Sequence, residues 1–230
     1  MTTPLIIMPI KDSLQTAERA IRAITASGFL PMLYDDNSLP ENARRLDELA
    51  DELSLPIVHL SDITDHPSPN YLLVLQRSQQ QAIAEQRGLL IIESDVIVKT
   101  DTIQRLMQGV TDKTGMVAAV TTDEQGQINY PYEYARGLQS GDTRKHLSFC
   151  CTLLTLPFLQ AFSFQQLCPE KDWFDVTISH KSTELGFRNL LLTDTPVVHL
   201  PHSSRPWKQL KYTHPLRYYW NKLTHGKDRI

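Results

Sequence analysis

Short apolar runs alternate with longer helix-like segments through the first half of the chain, and this alternation is the strongest constraint on its fold. The runs read PLIIMPI, FLPMLY, PIVHL, LLIIE and MVAAVTT. Between them, apolar residues recur at helical spacing, with Pro40 at a predicted helix start and Gly28 and Gly88 at predicted helix ends. The pattern predicts βα units and therefore an α/β fold, a mostly parallel sheet flanked by helices.

The chain length of 230 residues suits a single domain with one large core. The βα rhythm covers residues 1–121 and breaks in a polar, tyrosine-containing stretch at 122–147. Order is expected to return with a strand in HLSFCCTLL, a helix near 157–166, a helix in KDWFDVTISHKSTELGF and a strand pair, RNLLL and TPVVHL. We therefore predict two halves of one domain, 1–121 and 122–204, followed by a tail, 205–230.

The charge, the cysteine content and the apolar runs of the chain limit its expected binding partners and its expected location in the cell. A net charge of −3 and a pI near 6.2 argue against nucleic-acid binding. The cysteines Cys150, Cys151 and Cys168 show neither a disulfide framework nor a CxxC zinc motif, so the adjacent pair is expected to be buried thiols. The N-terminal apolar run lacks preceding basic residues, and no run reaches about 18 apolar residues, so we expect a cytoplasmic protein.

Two pairs of acidic residues stand where predicted strands end. Asp35 and Asp36 close the second run, and Glu93 and Asp95 close the fourth. Ligands of parallel α/β sheets bind outside the carboxyl ends of the strands. Two acids on one turn repel each other unless a cation lies between them, and Mg²⁺ commonly binds carboxylates together with substrate phosphates. A metal and nucleotide site is the functional interpretation, whereas turn formation and helix capping are the structural alternative.

Five segments in order resemble the family 2, GT-A-type glycosyltransferases. LIIMPIKDS is similar to the opening strand of that family, LYDDNS to its V-D-D-G-S strand end, and IIESDV to its D-x-D strand end. EKDWFDVTISHKSTELGFR resembles the later acidic segment that carries the catalytic base, and PVVHL the terminal strand with a metal-associated histidine. Three positions depart from the family pattern: Glu93 replaces an aspartate, Asn37 a glycine and Lys171 a frequent glutamate.

The resemblance implies a GT-A-like fold and a role for specific residues. The implied donor-binding residues are Pro9, Ile10, Lys11, Asp36, Glu93 and Ser94. The implied ligands of Mn²⁺ or Mg²⁺ are Asp95, Glu93 and His199, and the implied general base is Asp172 or, as second choice, Asp175. Asn37 is compatible with the glycine position because asparagine tolerates left-handed backbone angles.

The implied activity is inverting, metal-assisted transfer of a hexose-like sugar from a nucleotide diphosphate sugar to an acceptor hydroxyl. A glycan or lipid-linked acceptor, and hence polysaccharide biosynthesis, would follow. A sugar-nucleotide pyrophosphorylase would need a glycine-rich loop after the first strand, which MPIKDSLQT lacks. The remaining alternative is a non-catalytic protein of the same fold that binds a nucleotide or glycan.

The tail from 205 to 230 has a composition of its own. Seven basic residues outnumber Asp228, and five aromatic residues are interleaved with them. Such a segment can contact an anionic membrane surface, where each basic residue contributes about 1 kcal/mol. It can equally pack as a C-terminal helix on the sheet. Membrane contact would place the protein at the inner membrane surface and favour a lipid-linked acceptor.

Overall fold

A computed structural model describes residues 2–169, 173–200, 216, 219 and 220 of the chain. Met1–Leu200 form one compact unit and Pro201–Ile230 a second. Of the second unit, Leu216, Tyr219 and Trp220 are helical and exposed, and the rest of the predicted tail lies outside the described residues. In the described part of the chain, no helix is both long enough and apolar enough to cross a membrane.

The first unit contains six α-helices and nine strands among its described residues. The helices are α1 (Leu14–Ala26), α2 (Pro40–Leu53), α3 (Tyr71–Ala84), α4 (Thr102–Gln108), α5 (Leu156–Ala161) and α6 (Phe174–Glu184). The strands are β1 (Leu5–Ile10), β2 (Met32–Asp35), β3 (Ile57–His59), β4 (Leu89–Ile92), β5 (Val96–Ile97), β6 (Thr114–Thr122), β7 (Gly141–Asp142), β8 (Cys151–Leu154) and β9 (Arg188–His199).

The strands form one sheet in the order β3-β2-β1-β4-β8-β6-β9-β5, with β7 paired to β9. β1 runs parallel to β2 and β4, β2 is parallel to β3, and β6 is parallel to β9. β8 is antiparallel to both of its neighbours, β4 and β6. The predicted mostly parallel sheet in a single domain is thus confirmed, with the antiparallel strand β8 at its centre and two short strands, β5 and β7, antiparallel to β9.

Each face of the sheet is covered by helices because successive side chains of a strand point to opposite faces. In β4, Leu89 and Ile91 join a cluster with side chains of α3, α5 and α6, whereas Leu90 and Ile92 join a cluster with α1, α2 and α4. All four residues are 0% exposed. This two-sided burial explains why the run is continuously aliphatic rather than alternating.

Several local signals operate as the sequence predicts. α2 begins at Pro40, where a proline has no hydrogen bond to lose, and Gly28 follows α1 with φ of +84°. The second half is less regular than predicted. The expected strand pair is one strand, β9, and the expected helix near 157–166 is α5 followed by a short 3-10 helix, Phe164–Gln166.

Candidate functional site

The turn between β4 and β5 carries Glu93 and Asp95 and is held by two neighbouring strands. The Glu93 amide donates to the Cys150 carbonyl at 3.0 Å, next to β8. The Leu200 amide donates to the Asp95 carbonyl at 2.9 Å, next to β9. Asp95 is 2% exposed, and Glu93 and Ser94 are half-buried. The two predicted acids therefore lie on a turn fixed at the carboxyl end of β4.

His199, the last residue of β9, lies beside this turn because it pairs with Val96 of β5. Its Nε2 is 3.6 Å from Oδ2 of Asp95. Its Nδ1 is 2.9 Å from the Tyr130 carbonyl oxygen, which can only accept, so Nδ1 carries a hydrogen. Burial alone lowers the pKa of His199, but the hydrogen bond and charge of Asp95, with the charge of Glu93, raise it to about 9.

Cys150 completes the group, although no sequence motif marks it as a site residue. Its Sγ lies 3.3 Å from Oε2 of Glu93 and 3.3 Å from the Ser148 hydroxyl. Burial, together with the negative charge of Glu93, raises the pKa of the thiol well above its usual value. The prediction of a buried thiol is correct, since Cys150 is 2% exposed, but its sulfur contacts polar atoms of the predicted metal site.

The donor atoms of Glu93, Cys150 and His199 all lie within 4.8 Å of one another. Two ligands of one tetrahedral Zn²⁺ ion would be about 3.3–3.8 Å apart, given bond lengths of roughly 2.0–2.3 Å. Metal-binding histidines usually donate their other ring N–H to a carbonyl or carboxylate, as Nδ1 of His199 does. In ligand chemistry these residues suit a divalent cation, and the more distant of their donor atoms would have to approach further to bind it.

The other acidic pair, Asp35 and Asp36 after β2, is held by hydrogen bonds within the protein. Both carboxylate oxygens of Asp36 accept hydrogen bonds from one loop: Oδ2 from the Ser68 hydroxyl at 2.7 Å and the Asn70 amide at 2.9 Å, and Oδ1 from the Asn70 side chain at 2.8 Å. Asp36 is 8% exposed. The carboxylate thus anchors the segment that leads into α3.

Asp35 faces another set of partners. Its Oδ2 contacts Nδ1 of His59 at 2.9 Å, and Nε2 of the same ring contacts Asp47 at 2.8 Å. Its Oδ1 accepts from the Ser38 amide at 3.2 Å. Each carboxylate therefore has hydrogen-bond partners of its own, so Asp35 and Asp36 do not need a cation between them.

The predicted donor-binding residues of β1 lie next to the end of β2. The Asp36 amide donates to the Ile10 carbonyl at 2.9 Å, and the Lys11 ammonium contacts the Asn37 carbonyl. Asn37 adopts φ of +57°, the left-handed angle expected at the position of the family's glycine. Pro9 is half-buried within β1. These contacts join the exits of the two strands into one surface.

The two candidates for the general base differ in what the structure describes. Asp172 lies outside the described residues. Asp175 lies in the first turn of α6, where its Oδ1 accepts from the Val176 amide at 2.9 Å. Burial raises the pKa of Tyr132 well above its usual value, and the charges of Cys150 and Asp175 add to that shift. Of the two candidates, Asp175 is therefore the one whose position is described, in the first turn of α6.

Comparisons with known proteins find the same fold in solved glycosyltransferases. The S. aureus TarS fragment 1-349 superposes with a TM-score of 0.65 at 12% identity, over 92% of this chain and 64% of that chain. GalNAc-T7, solved with UDP, GalNAc and Mn²⁺, gives 0.60 at 12% identity over 94% and 50%. M. tuberculosis glucosyl-3-phosphoglycerate synthase gives 0.58 at 13% identity over 90% and 75%.

No protein-family model and no curated protein matches the chain. The structural likeness defines the class of fold, and the chain has the GT-A glycosyltransferase fold. The chain spans about 64% of the length of the TarS fragment and half of GalNAc-T7. At 12–13% identity the likeness concerns the fold, and the site residues of this chain have to be argued from their own geometry.

Proposed function

We propose that the chain is an inverting glycosyltransferase that moves a hexose-like sugar from a nucleotide diphosphate sugar to an acceptor hydroxyl. The observation that carries this proposal is the group of Glu93, Asp95 and His199 at the carboxyl edge of a GT-A sheet. A GT-A neighbour was solved with UDP and Mn²⁺, and TarS was solved with UDP. Family 2 is the subclass that the motif order favours.

In this proposal, Asp95, Glu93 and His199 hold Mn²⁺ or Mg²⁺. The cation would act as a Lewis acid on the diphosphate of the donor. The chain's own contribution is to fix the ligands: the Tyr130 carbonyl orients the His199 ring, and the main-chain bonds of the β4–β5 turn hold the two carboxylates. Asp95, which is 2% exposed, places a carboxyl group where the diphosphate and its cation would lie.

The nucleoside would bind where the exits of β1 and β2 meet, against Pro9, Ile10, Lys11 and Asp36, with Ser94 on the neighbouring turn. Asp36 already binds Ser68 and Asn70, which at first argues against a donor contact. A carboxylate oxygen can accept two hydrogen bonds, however, and Oδ1 accepts one of the three. A ribose hydroxyl or base N–H could therefore be added without breaking the loop contacts.

Either Asp172 or Asp175 would take the proton from the acceptor hydroxyl during transfer. We propose a glycan or lipid-linked acceptor and a place in polysaccharide biosynthesis. The basic, aromatic tail would bring the protein to the cytoplasmic face of a membrane. The competing proposal is a nucleotide or glycan binding protein of the same fold, and it is suggested by Glu93, which stands where the family motif has an aspartate.

A thermal-shift panel of nucleoside diphosphates with and without Mn²⁺ tests the donor site. A ligand at a hundredfold its dissociation constant stabilises the folded state by about 2.7 kcal/mol, a midpoint rise of roughly 5–10 °C for a chain of this size. We expect a metal-dependent rise that Asp95→Asn abolishes. The exposed Asp112→Asn, remote from the β4–β5 turn in sequence and placed before β6, is the matched control and should respond like the wild type.

No rise with any nucleotide, in either metal condition, would refute the proposed donor site. Sugar release from a bound nucleotide sugar then separates an enzyme from a binding protein. We expect turnover in the wild type and its loss in either Asp172→Asn or Asp175→Asn, with nucleotide binding retained. A protein that binds the nucleotide but releases no sugar from any donor tested, with or without glycan acceptors, would favour the binding protein.

A further inference from the structure

We propose that Cys150 is a ligand of the cation, so that this site binds thiophilic divalent ions such as Zn²⁺ and Co²⁺ through a sulfur–metal bond. The inference rests on the proposed function, because it concerns the same cation. It goes further in assigning a sulfur ligand and a metal class, with Cys150, Glu93 and His199 as the three ligands and Asp95 contributing charge beside them. Sulfur is absent from the ligand set that the sequence motifs imply, which contains only carboxylates and an imidazole.

Main-chain pairing places Cys150 directly beside the β4–β5 turn, which carries Glu93 and Asp95. Cys151 of β8 pairs with Ile92 of β4, so the preceding residue lies opposite Glu93. The Glu93 amide donates to the Cys150 carbonyl at 3.0 Å, and the Cys150 thiol donates to Oε2 of Glu93 at 3.3 Å. Two contacts, one through the main chain and one through the side chains, therefore fix the sulfur beside the carboxylate.

The neighbouring cysteine shows what a purely structural thiol looks like in this chain. Cys151 is 0% exposed, and the only cause of its raised pKa is burial. Cys150 is equally buried, but its sulfur lies against the Ser148 hydroxyl and the Glu93 carboxylate. Buried free cysteines usually behave as small apolar groups. The polar surroundings of Cys150 distinguish it from that usual case.

The geometry of the group suits a reactive rather than a closed metal site. Glu93, Cys150 and His199 supply one oxygen, one sulfur and one nitrogen within 4.8 Å of one another. Catalytic zinc sites keep three protein ligands and an open position for substrate, whereas structural sites use four. Asp95, 3.6 Å from Nε2 of His199, adds negative charge beside that group. A diphosphate oxygen would take the open position.

A sulfur ligand changes which ion is preferred. Thiolates favour Zn²⁺ and related ions, whereas carboxylates and water suit Mg²⁺ and Mn²⁺. On binding, the Cys150 thiol releases its proton to solvent, and an Sγ–metal bond replaces the S–H contact with Glu93. Of the two ions proposed from the motifs, Mg²⁺ should therefore be the weaker, and Zn²⁺ should displace both.

Cobalt titration of the full chain tests the inference without relying on activity. Co²⁺ bound to a thiolate gives a charge-transfer band in the near ultraviolet that oxygen and nitrogen ligands do not give. We expect this band to saturate at one Co²⁺ per chain, to disappear on adding Zn²⁺ and to persist in excess Mg²⁺. Cys150→Ser should lose the band and at least about tenfold in Co²⁺ affinity, since even outer-shell substitutions cost about 10–100-fold.

Cys151→Ser, a neighbouring buried thiol, and Cys168→Ser, an exposed thiol, are the matched controls and should keep the band. If Cys150→Ser does not fold, the spectra of Cys151→Ser and Cys168→Ser still decide, because a band that both variants keep leaves Cys150 as the sulfur ligand. Co²⁺ bound without the band, or a band that Cys150→Ser retains, would overturn the thiol ligand and leave the proposed cation site standing. No Co²⁺ bound at all, with or without UDP, would overturn this inference, and the Mn²⁺-dependent nucleotide shift would then decide the proposed function separately.

Discussion

Replacing Asp36 tests whether the acidic residue after β2 is a structural anchor. Its carboxylate accepts three hydrogen bonds, two of them from Asn70 and one from Ser68. In Asp36→Ala all three are lost. The Ser68 hydroxyl can turn elsewhere, and the Asn70 side chain keeps a bond to the His66 carbonyl at 3.1 Å. The Asn70 amide, in a residue 7% exposed, donates to Oδ2 of Asp36 and bears the largest loss.

The expected destabilisation follows from these bonds. A hydrogen bond to a charged group contributes about 1.5–3 kcal/mol, and leaving a buried donor without an acceptor costs about 1–3 kcal/mol. With two of the donors partly compensated, we expect Asp36→Ala to lose about 4 kcal/mol. Asp36→Asn keeps one acceptor oxygen for the Asn70 amide and Ser68 and loses only the bond to the Asn70 side chain, about 2 kcal/mol.

Thermal and urea unfolding of the two variants measure this difference. For a chain of this size each kcal/mol corresponds to about 2–4 °C, so the midpoints should fall by roughly 8–16 °C and 4–8 °C respectively. Asp112→Asn, an exposed carboxylate, should change stability by less than about 0.5 kcal/mol. An Asp36→Ala protein within about 1 kcal/mol of the wild type would refute the anchoring role.

Three further substitutions test other parts of the structure. Burial lowers the pKa of His59, but its hydrogen bonds to Asp35 and Asp47 raise the pKa overall. The stabilisation from His59 should therefore be complete below pH 6.5 and decline as the pH rises through the raised pKa, and urea midpoints of His59→Asn should lack that decline. In Gly115→Ala the new Cβ would lie 2.2 Å from Oγ of Ser182, and calorimetry should show a loss of about 1–3 kcal/mol, unlike Gly141→Ala, whose Cβ meets nothing within 4 Å. Gln79→Leu removes three buried hydrogen bonds to main-chain groups and should cost about 2–4 kcal/mol by urea unfolding, and a change under about 1 kcal/mol would contradict the contacts.

The first half of the fold is predictable because its signals are local. Each strand of the parallel part is a short apolar run, and the helices between them begin or end at residues with specific backbone preferences, such as Pro40 and Gly28. No distant contact is needed to locate them. The GT-A class itself followed from the order of five weak motifs, and the structural neighbours agree with it.

β9 was predicted as two strands because polar residues interrupt its apolar pattern. Thr193, Asp194 and Thr195 separate RNLLL from PVVHL and look like a turn. In the structure, the register with β6 shifts at this point, and Asp194 binds the Ser140 hydroxyl at 2.6 Å and Arg105 at 2.6 Å. Partners more than 50 residues away thus keep the strand continuous, and local sequence contains no trace of them.

The sequence predicts the site residues on strands that run parallel, as expected, and misses those on the strand that runs antiparallel. Glu93, Asp95 and His199 follow the ends of their strands, so placing them at one edge required only that β4 and β9 emerge on the same side. Cys150 precedes its strand, and in a parallel sheet it would lie at the opposite edge. The apolar pattern of HLSFCCTLL predicts a strand, but it does not indicate whether that strand pairs parallel or antiparallel with its neighbours.

The antiparallel direction of β8 is therefore what makes the cation group chemically unusual. A strand reversed between β4 and β6 delivers its beginning, rather than its end, to the edge where the acids lie. That beginning supplies Cys150 and Ser148, two side chains with polar heavy atoms 3.3 Å apart, to a surface otherwise built from carboxylates and imidazole. The oxygen ligands of such a site can be found by looking for acidic residues at the ends of predicted parallel strands. The antiparallel strand adds a sulfur ligand, on which we expect the metal preference of the site to depend.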